Sequence, residues 1–348
     1  MVHRGTFIIL LLFSFFFCNL GKAQEEYDYQ LRDTVMFPSQ MKTVQIDTVY
    51  LAMFHKYLNQ ESQQDESSMI IFGKYANGVY ISLKDMTLSN IEESETYRIL
   101  SDNRNFYVYK HGGNLASVDI KGVSYDYSEC PPLFTGIPEK NPVFNKSLYS
   151  QVQSFTQNRQ EYEKNQICLA LNKNLANSNV LNRLPYKPSE QHMEIIEATI
   201  KEYLNFTVLE TTSDNESVVL ECSVDTSDIQ FYNCVITTSE KPYLITSYHS
   251  DCCEWCLSQT IVFEQDGNDL SPVLHLADFY SFDVNSIDVN SISFWGDGYA
   301  LFDVLDIDSD GVNEIIFEII RYENIDIEIY KLVNGKFESV MTVALWGC

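Results

Sequence analysis

Period-two alternation closed off by Asn-Gly pairs is the feature that most limits what this chain can become. Ile325, Ile327 and Ile329 alternate with Asp326, Glu328 and Tyr330, and Asn334-Gly335 then leads into Lys336-Phe-Glu-Ser-Val340. Towards the other end, Met69-Ile-Ile-Phe72 and Val79-Tyr-Ile-Ser82 bracket Asn77-Gly78. Successive side chains of a strand point to opposite faces, so alternation buries one face. Asn-Gly supplies the two positive-φ residues that a type I′ hairpin turn needs. Phe106-Tyr-Val-Tyr109, Gly112-Gly113 and Ala116-Ser-Val-Asp-Ile120 repeat the scheme. These signals predict a mainly β protein with a few helices, built of antiparallel meanders.

One helix is predicted from Pro188-Ser189 through Leu204, with Met193, Ile196, Ile200, Tyr203 and Leu204 on one face. Residues 148–172, rich in Gln, Asn, Glu and Lys, read as a second helix or a linker. The polar run 172–182, ending near Pro185 and Pro188, is the best domain boundary. It divides the chain into a β-rich domain over 24–175 and a C-terminal β domain over 185–348. Asp283-Val-Asn-Ser-Ile287 recurs at once as Asp288-Val-Asn-Ser-Ile292, and its five-residue period fits strand and turn better than a repeat array. At 45% hydrophobic and 13% aromatic residues, the chain has material for a core, which excludes overall disorder.

Specific chemistry is concentrated in Asp306-Ile-Asp308-Ser-Asp310-Gly311-Val312-Asn313-Glu314. Carboxylates on alternating positions, with a glycine to turn the backbone, form a set of hard oxygen donors suited to calcium. The expected ligands are the side chains of Asp306, Asp308, Asp310 and Glu314, with the Val312 carbonyl as a fifth oxygen. The loop is not an EF-hand. Phe317 stands where that motif needs a bidentate glutamate, and the flanks Ala300-Leu-Phe-Asp-Val-Leu305 and Ile315-Ile-Phe-Glu-Ile-Ile320 are strand-like rather than helical. A solvated acidic turn is the plainer alternative. Residues 299–341 thus read as strand, calcium loop, strand, strand, hairpin, strand, a four-stranded antiparallel unit the size of a propeller blade.

The loop and its strands resemble the FG-GAP/VCBS type of repeat, whose loops read D-x-D-x-D-G-x-x-[DE] between adjacent strands. Glu314-Ile-Ile-Phe and the hairpin at Asn334-Gly335 fit that pattern. The resemblance implies calcium bound by Asp306, Asp308, Asp310 and Glu314 in a blade-like setting, and covers about 45 residues, the scale of one repeat. More loosely, the C-terminal part resembles exported bacterial proteins that end in a single such unit.

Residues 1–23 read as a signal peptide. Arg4 provides the positive start, 7–17 are apolar apart from Ser14, and Gly21-Lys22-Ala23 offers small residues for cleavage. Removing them takes the net charge from −26 to about −28. So acidic a chain is unsuited to nucleic acid, whose binding rests on Lys and Arg neutralising phosphates. No later segment is apolar enough for an integral membrane helix, so the expected location is secreted, periplasmic or cell-surface.

Eight cysteines follow the signal segment: Cys130, Cys168, Cys222, Cys234, Cys252, Cys253, Cys256 and Cys348. An even count in an exported chain suggests disulfides, though about a hundred pairings are open. Cys222 and Cys234 flank a plausible hairpin. Cys253 and Cys256 form a C-x-x-C, but the strand-like Leu257-Ser-Gln-Thr-Ile-Val-Phe263 follows it, which favours hairpin staples over a redox pair.

Two common catalytic motifs, G-x-S-x-G and H-E-x-x-H, are absent from the sequence. His55, His111, His192 and His275 are scattered along the sequence outside any catalytic motif, and His192 in the helix reads as a surface or interface residue. Tyr107, Tyr109, Tyr125 and Tyr127 read as sheet packing, with an exposed aromatic face as the alternative. The expectation is an exported, calcium-binding, non-catalytic binding or scaffold module acting on a protein or glycan ligand. The alternative is an envelope or secreted hydrolase using a carboxylate pair.

Overall fold

The computed structural model of the protein describes residues 32–38, 48–58, 64–83, 94–126, 133–154, 165–175, 181–211, 229–234, 236, 242–252, 255–281, 298–320 and 325–346. The expected signal peptide, the 283–292 repeat, and Cys130, Cys222, Cys253 and Cys348 lie outside them. Within them the protein is mainly β, as predicted, with three helices and three antiparallel sheets.

The first sheet closes on itself. β2 (Val49–Leu58), β3 (Asp65–Ala76), β5 (Asn105–Lys110), β6 (Gly113–Asp126), β7 (Leu133–Pro138) and β8 (Asn165–Leu171) pair around a ring. β5 pairs with β6, β6 with β7, β7 with β3, β3 with β2, β2 with β8, and β8 again with β5. β1 (Arg32–Met36) adds to β6 and β4 (Val79–Ser82) adds to β3. Closure leaves the ring with no open edge and requires alternate side chains to fill its interior. Tyr50, Ala52 and Phe54 of β2, Phe106 and Val108 of β5, and Cys168 and Ala170 of β8 do so. Leu100 of α1 (Glu95–Asp102) and Leu148 and Val152 of α2 (Lys146–Ser154) join this core. Each large side chain buried this fully contributes about 1.5–3 kcal/mol.

β8 corrects the reading of 148–172. Among the described residues its start is helical, as α2, and Asn165–Leu171 is a strand in the middle of the ring. Ile-Cys-Leu-Ala-Leu shows no alternation because both of its faces are buried. Cys168 points inward, while Leu169 and Leu171 face a second core. Tyr109 and Tyr125 are buried and Tyr107 packs against that second core, so these tyrosines are sheet packing; Tyr127 lies outside the described residues.

That second core joins the ring to the C-terminal sheet. β14 (Gly298–Leu305), β15 (Glu314–Ile320), β16 (Ile325–Val333) and β17 (Lys336–Trp346) follow one another in the sheet, as expected for the 299–341 unit. One face of this sheet, with Ile316, Ile327, Ile329, Met341 and Val343, packs on Leu51, Phe72, Tyr109 and Leu171 of the ring. The other face, with Val304, Ile315 and Phe317, packs on Tyr243, Ile245 and Val262 of a five-stranded sheet. That sheet has the order β13 (Asp269–Ser281), β12 (Trp255–Asp266), β11 (Tyr243–Cys252), β10 (Gln230–Cys234), β9 (Arg183–Pro185). Its far face is covered by α3 (Glu190–Thr211) through Ile196 and Ile200. The layers therefore run ring, four-stranded sheet, five-stranded sheet, helix. β15 is buried on both faces, which is why Glu-Ile-Ile-Phe-Glu-Ile-Ile hardly alternates.

Both Asn-Gly turns have the expected backbone, with φ of 52° and 79° at Asn77 and Gly78, and 51° and 79° at Asn334 and Gly335. A third turn of the same kind is His111-Gly112, at 54° and 80°, one residue earlier than Gly112-Gly113. Cys252 pairs with Trp255, and Cys256 lies within β12, so these two cysteines stand in paired strands rather than at the start of a helix. Cys168 is a free, buried thiol. His192 is buried rather than superficial, its Nδ1 2.9 Å from the Tyr186 hydroxyl. Tyr203 and Leu204 fall where side chains are outside the described set.

Candidate metal centre

Residues 306–313 connect β14 to β15, placing the acidic loop between two strands as expected. Its two apolar residues anchor it on opposite sides. Ile307 is fully buried in the core shared with the ring, and Val312 packs against the core shared with the five-stranded sheet. Ser309 and Gly311 have φ of 66° and 89°, so the chain reverses sharply twice. A Cβ on Gly311 would meet nothing within 4 Å, so the backbone conformation, not space, favours glycine there.

Each carboxylate spends one oxygen on the loop's own backbone. Asp306 Oδ2 accepts from Gly311 N at 3.1 Å, Asp308 Oδ1 from Asp310 N at 3.2 Å, and Asp310 Oδ1 from Val312 N at 2.8 Å. Glu314 Oε2 accepts from Ile307 N at 2.8 Å. Oxygens of Asp306, Asp308 and Glu314 lie within 4.8 Å of one another. Asp306 Oδ1 and Glu314 Oε1 are buried and make no hydrogen bond of ordinary geometry. Unsatisfied buried carboxylate oxygens are costly. The loop therefore has donors to spare for a cation, and all of them are hard oxygens. Asp310 stands outside the trio, with its side chain 44% exposed, and Val312 takes part through its N–H.

A lysine that the loop sequence gives no hint of reaches into this cluster. Lys331, from β16, bonds Asp308 Oδ2, lies 2.7 Å from Asp310 Oδ2, and is 3.6 Å from Glu314 Oε1. Burial alone would weaken its affinity for a proton. Its bonds to Asp308 and Asp310 and the charge of Glu314 outweigh that and hold it above the ordinary lysine value. Burial raises Asp310, but its bond to Lys331, its bond to Val312 N and the lysine's charge together hold it below the usual carboxylate range. Glu314, whose side chain has no exposed surface, is pushed up to about 8 by burial and by the charge of Asp308. Burial, with the charges of Asp308 and Asp310, also raises Asp306.

The ring supplies the opposite wall. Tyr75 of β3 and Tyr80 of β4 pack with ring centroids 4.8 Å apart. Burial and then the neighbouring acids, Asp308 for Tyr75 and Glu314 for Tyr80, raise both phenols above the ordinary value. On the outer side, Lys173 Nζ donates to Ser309 Oγ at 2.9 Å. The centre thus lies where the ring meets the C-terminal sheet. Lys331, Tyr75 and Tyr80 escape sequence reasoning; the one trace of Lys331 is that it is the only cation in β16.

Among the described residues, no helix is long and apolar enough to cross a membrane. Compared with known protein families, characterised proteins and solved structures, the chain matches none of them.

Proposed function

We propose that this is an exported, calcium-binding, β-rich protein that acts as a non-catalytic binding or scaffold module for a protein or glycan ligand. The observation that carries the metal assignment is the convergence of Asp306, Asp308 and Glu314, with Asp306 Oδ1 and Glu314 Oε1 buried and without a hydrogen bond of ordinary geometry. Calcium takes six to eight oxygens at about 2.3–2.6 Å in a flexible geometry, which suits oxygens that need only a small contraction to share one ion. Magnesium needs shorter bonds in a near-ideal octahedron, which a loop of this kind does not impose. Support for export comes from the signal-like start and the acidic composition. The strand–loop–strand setting accords with the FG-GAP/VCBS resemblance.

The hydrolase reading has one observation in its favour: Glu314 is raised while Asp310, in the same cluster, is lowered, the contrast a paired acid and base would have. Burial weighs against it. A general acid must reach the bond it protonates, and the Glu314 side chain is fully enclosed.

Thermal melting in calcium and in chelator tests the assignment. An ion that binds only the native state stabilises it by about 2.7 kcal/mol when it is a hundredfold above its dissociation constant. Wild type should melt higher in calcium than in chelator, with magnesium a poor substitute. Asp306→Asn removes a donor that does not touch Lys331, so it should erase the difference while leaving the chelator curve nearly unchanged. Coincident wild-type curves would reduce the loop to an acidic turn.

A further inference from the structure

Three observations around the acidic loop concern the same atom. The Lys331 ammonium bonds Oδ2 of Asp308, one of the three carboxylates that would hold calcium. It is 3.6 Å from Glu314 Oε1, the fully buried oxygen that lacks a hydrogen-bond partner. Its own side chain is only 17% exposed, so it belongs to the interior of the cluster rather than to its rim. We propose that Lys331 is the built-in counter-ion of this centre and the residue that sets its affinity: the ammonium neutralises the loop when calcium is absent, and calcium binds by displacing it.

The inference rests on the calcium reading and adds the regulation of that site. A lysine ammonium is a compact, strongly hydrated charge on a flexible four-carbon stem, able to leave a carboxylate without moving the strand that carries it. Two cations cannot crowd against the Asp308 carboxylate without strong mutual repulsion, so the ion must take the place of the ammonium. Calcium brings two charges where lysine brings one, and it can engage Asp306 Oδ1 and Glu314 Oε1, to which the lysine makes no hydrogen bond. The exchange is therefore favourable but costs the Lys331 contacts, and the net affinity is lower than the four acids alone would give. The loop stays folded in calcium-poor surroundings and takes up the ion only when it is abundant.

Calorimetric titration of chelator-stripped wild type, Lys331→Met, Lys331→Gln and Lys331→Arg tests this, with circular dichroism confirming that each is folded. Lys331→Met and Lys331→Gln should bind calcium about tenfold more tightly or better, and melt lower than wild type in chelator, because the competing charge is gone. Lys331→Arg, which keeps the charge, should retain a weakened, wild-type-like affinity. A second measurement needs no variant: acylation of lysines in wild type, read by peptide mass, should be faster at Lys331 when calcium is bound. If wild type binds calcium, the neutral variants bind no tighter and Lys331 acylation is unchanged, this inference falls and the calcium reading stands. If only the neutral variants bind, Lys331 is confirmed as the competitor and the reading of wild type as a calcium protein falls. If none binds, both fall.

Discussion

Glu314 carries the sharpest conflict in the molecule: a carboxylate with no exposed side-chain surface, one oxygen bonded to Ile307 N and the other facing Asp308 and Lys331. Without a metal, ionising it is opposed by burial, so the residue is held for something other than stability. Glu314→Gln keeps the size and an oxygen for Ile307 N while removing the charge. In chelator this variant should melt at or above wild type, and it should gain nothing from calcium. A variant that melts well below wild type in chelator would mean that the charge itself holds the loop closed. The acids at 306, 308, 310 and 314 are legible in sequence because their spacing and Gly311 are local. Lys331, Tyr75 and Tyr80 are not, because they arrive from other strands. In particular, Lys331 is separated from Asp308 by a β-hairpin and a bulge between Ile329 and Tyr330.

At the scale of elements, turns decide which strands can meet. Asn77-Gly78 and Asn334-Gly335 are readable because Asn and Gly tolerate positive φ. His111-Gly112 makes the same turn with a residue seldom chosen for it, and tertiary contacts explain why it holds. Gly112 N donates to Asp303 Oδ1 at 2.7 Å, Asn182 N donates to the His111 carbonyl at 2.7 Å, and Asn182 Nδ2 donates to the Val304 carbonyl at 3.1 Å. This turn thus fastens the ring to β14, just ahead of the acidic loop. A Cβ at Gly112 would come within 2.6–2.7 Å of Asn182 side-chain atoms, whereas one at Gly78 would meet nothing within 4 Å. Both glycines sit at left-handed φ, where a side chain costs about 1–2 kcal/mol. Gly112→Ala should therefore lose that amount and more, and Gly78→Ala only that amount, in denaturant unfolding. Equal losses would show that Asn182 yields freely and does not brace the junction.

For the whole molecule, the layered order explains both what was readable and what was not. Alternation reveals a strand whose two faces differ in polarity, and β16 shows it in Ile327 and Ile329, although Asp326 on its other face is buried too. It fails for strands enclosed on both sides. β8 between β5 and β2, and β15 between ring and five-stranded sheet, have apolar residues facing both ways. Closure of the ring depends on pairings such as Ile70 with Thr135 and Tyr109 with Leu169, whose partners lie far apart in the chain and leave no local mark. The strands on either side of 172–182 belong to different sheets, yet they share a core in which Leu51 and Leu171 meet Ile316 and Ile329. The acidic loop stands at the border of that core, held by Ile307 on one side and Val312 on the other. An ion bound there would join the β14–β15 connection to the β3–β4 hairpin through the wall of Tyr75 and Tyr80.

That the loop exists to hold calcium is tested most directly by calorimetric titration of the chelator-stripped, folded protein with calcium. The account expects a saturable heat with one ion per chain, abolished in Asp306→Asn and only weakly reproduced by magnesium. A folded wild type that gives no heat, and binds no calcium when dialysed against a labelled excess, would contradict it and leave Lys331 as the only cation the loop was built around.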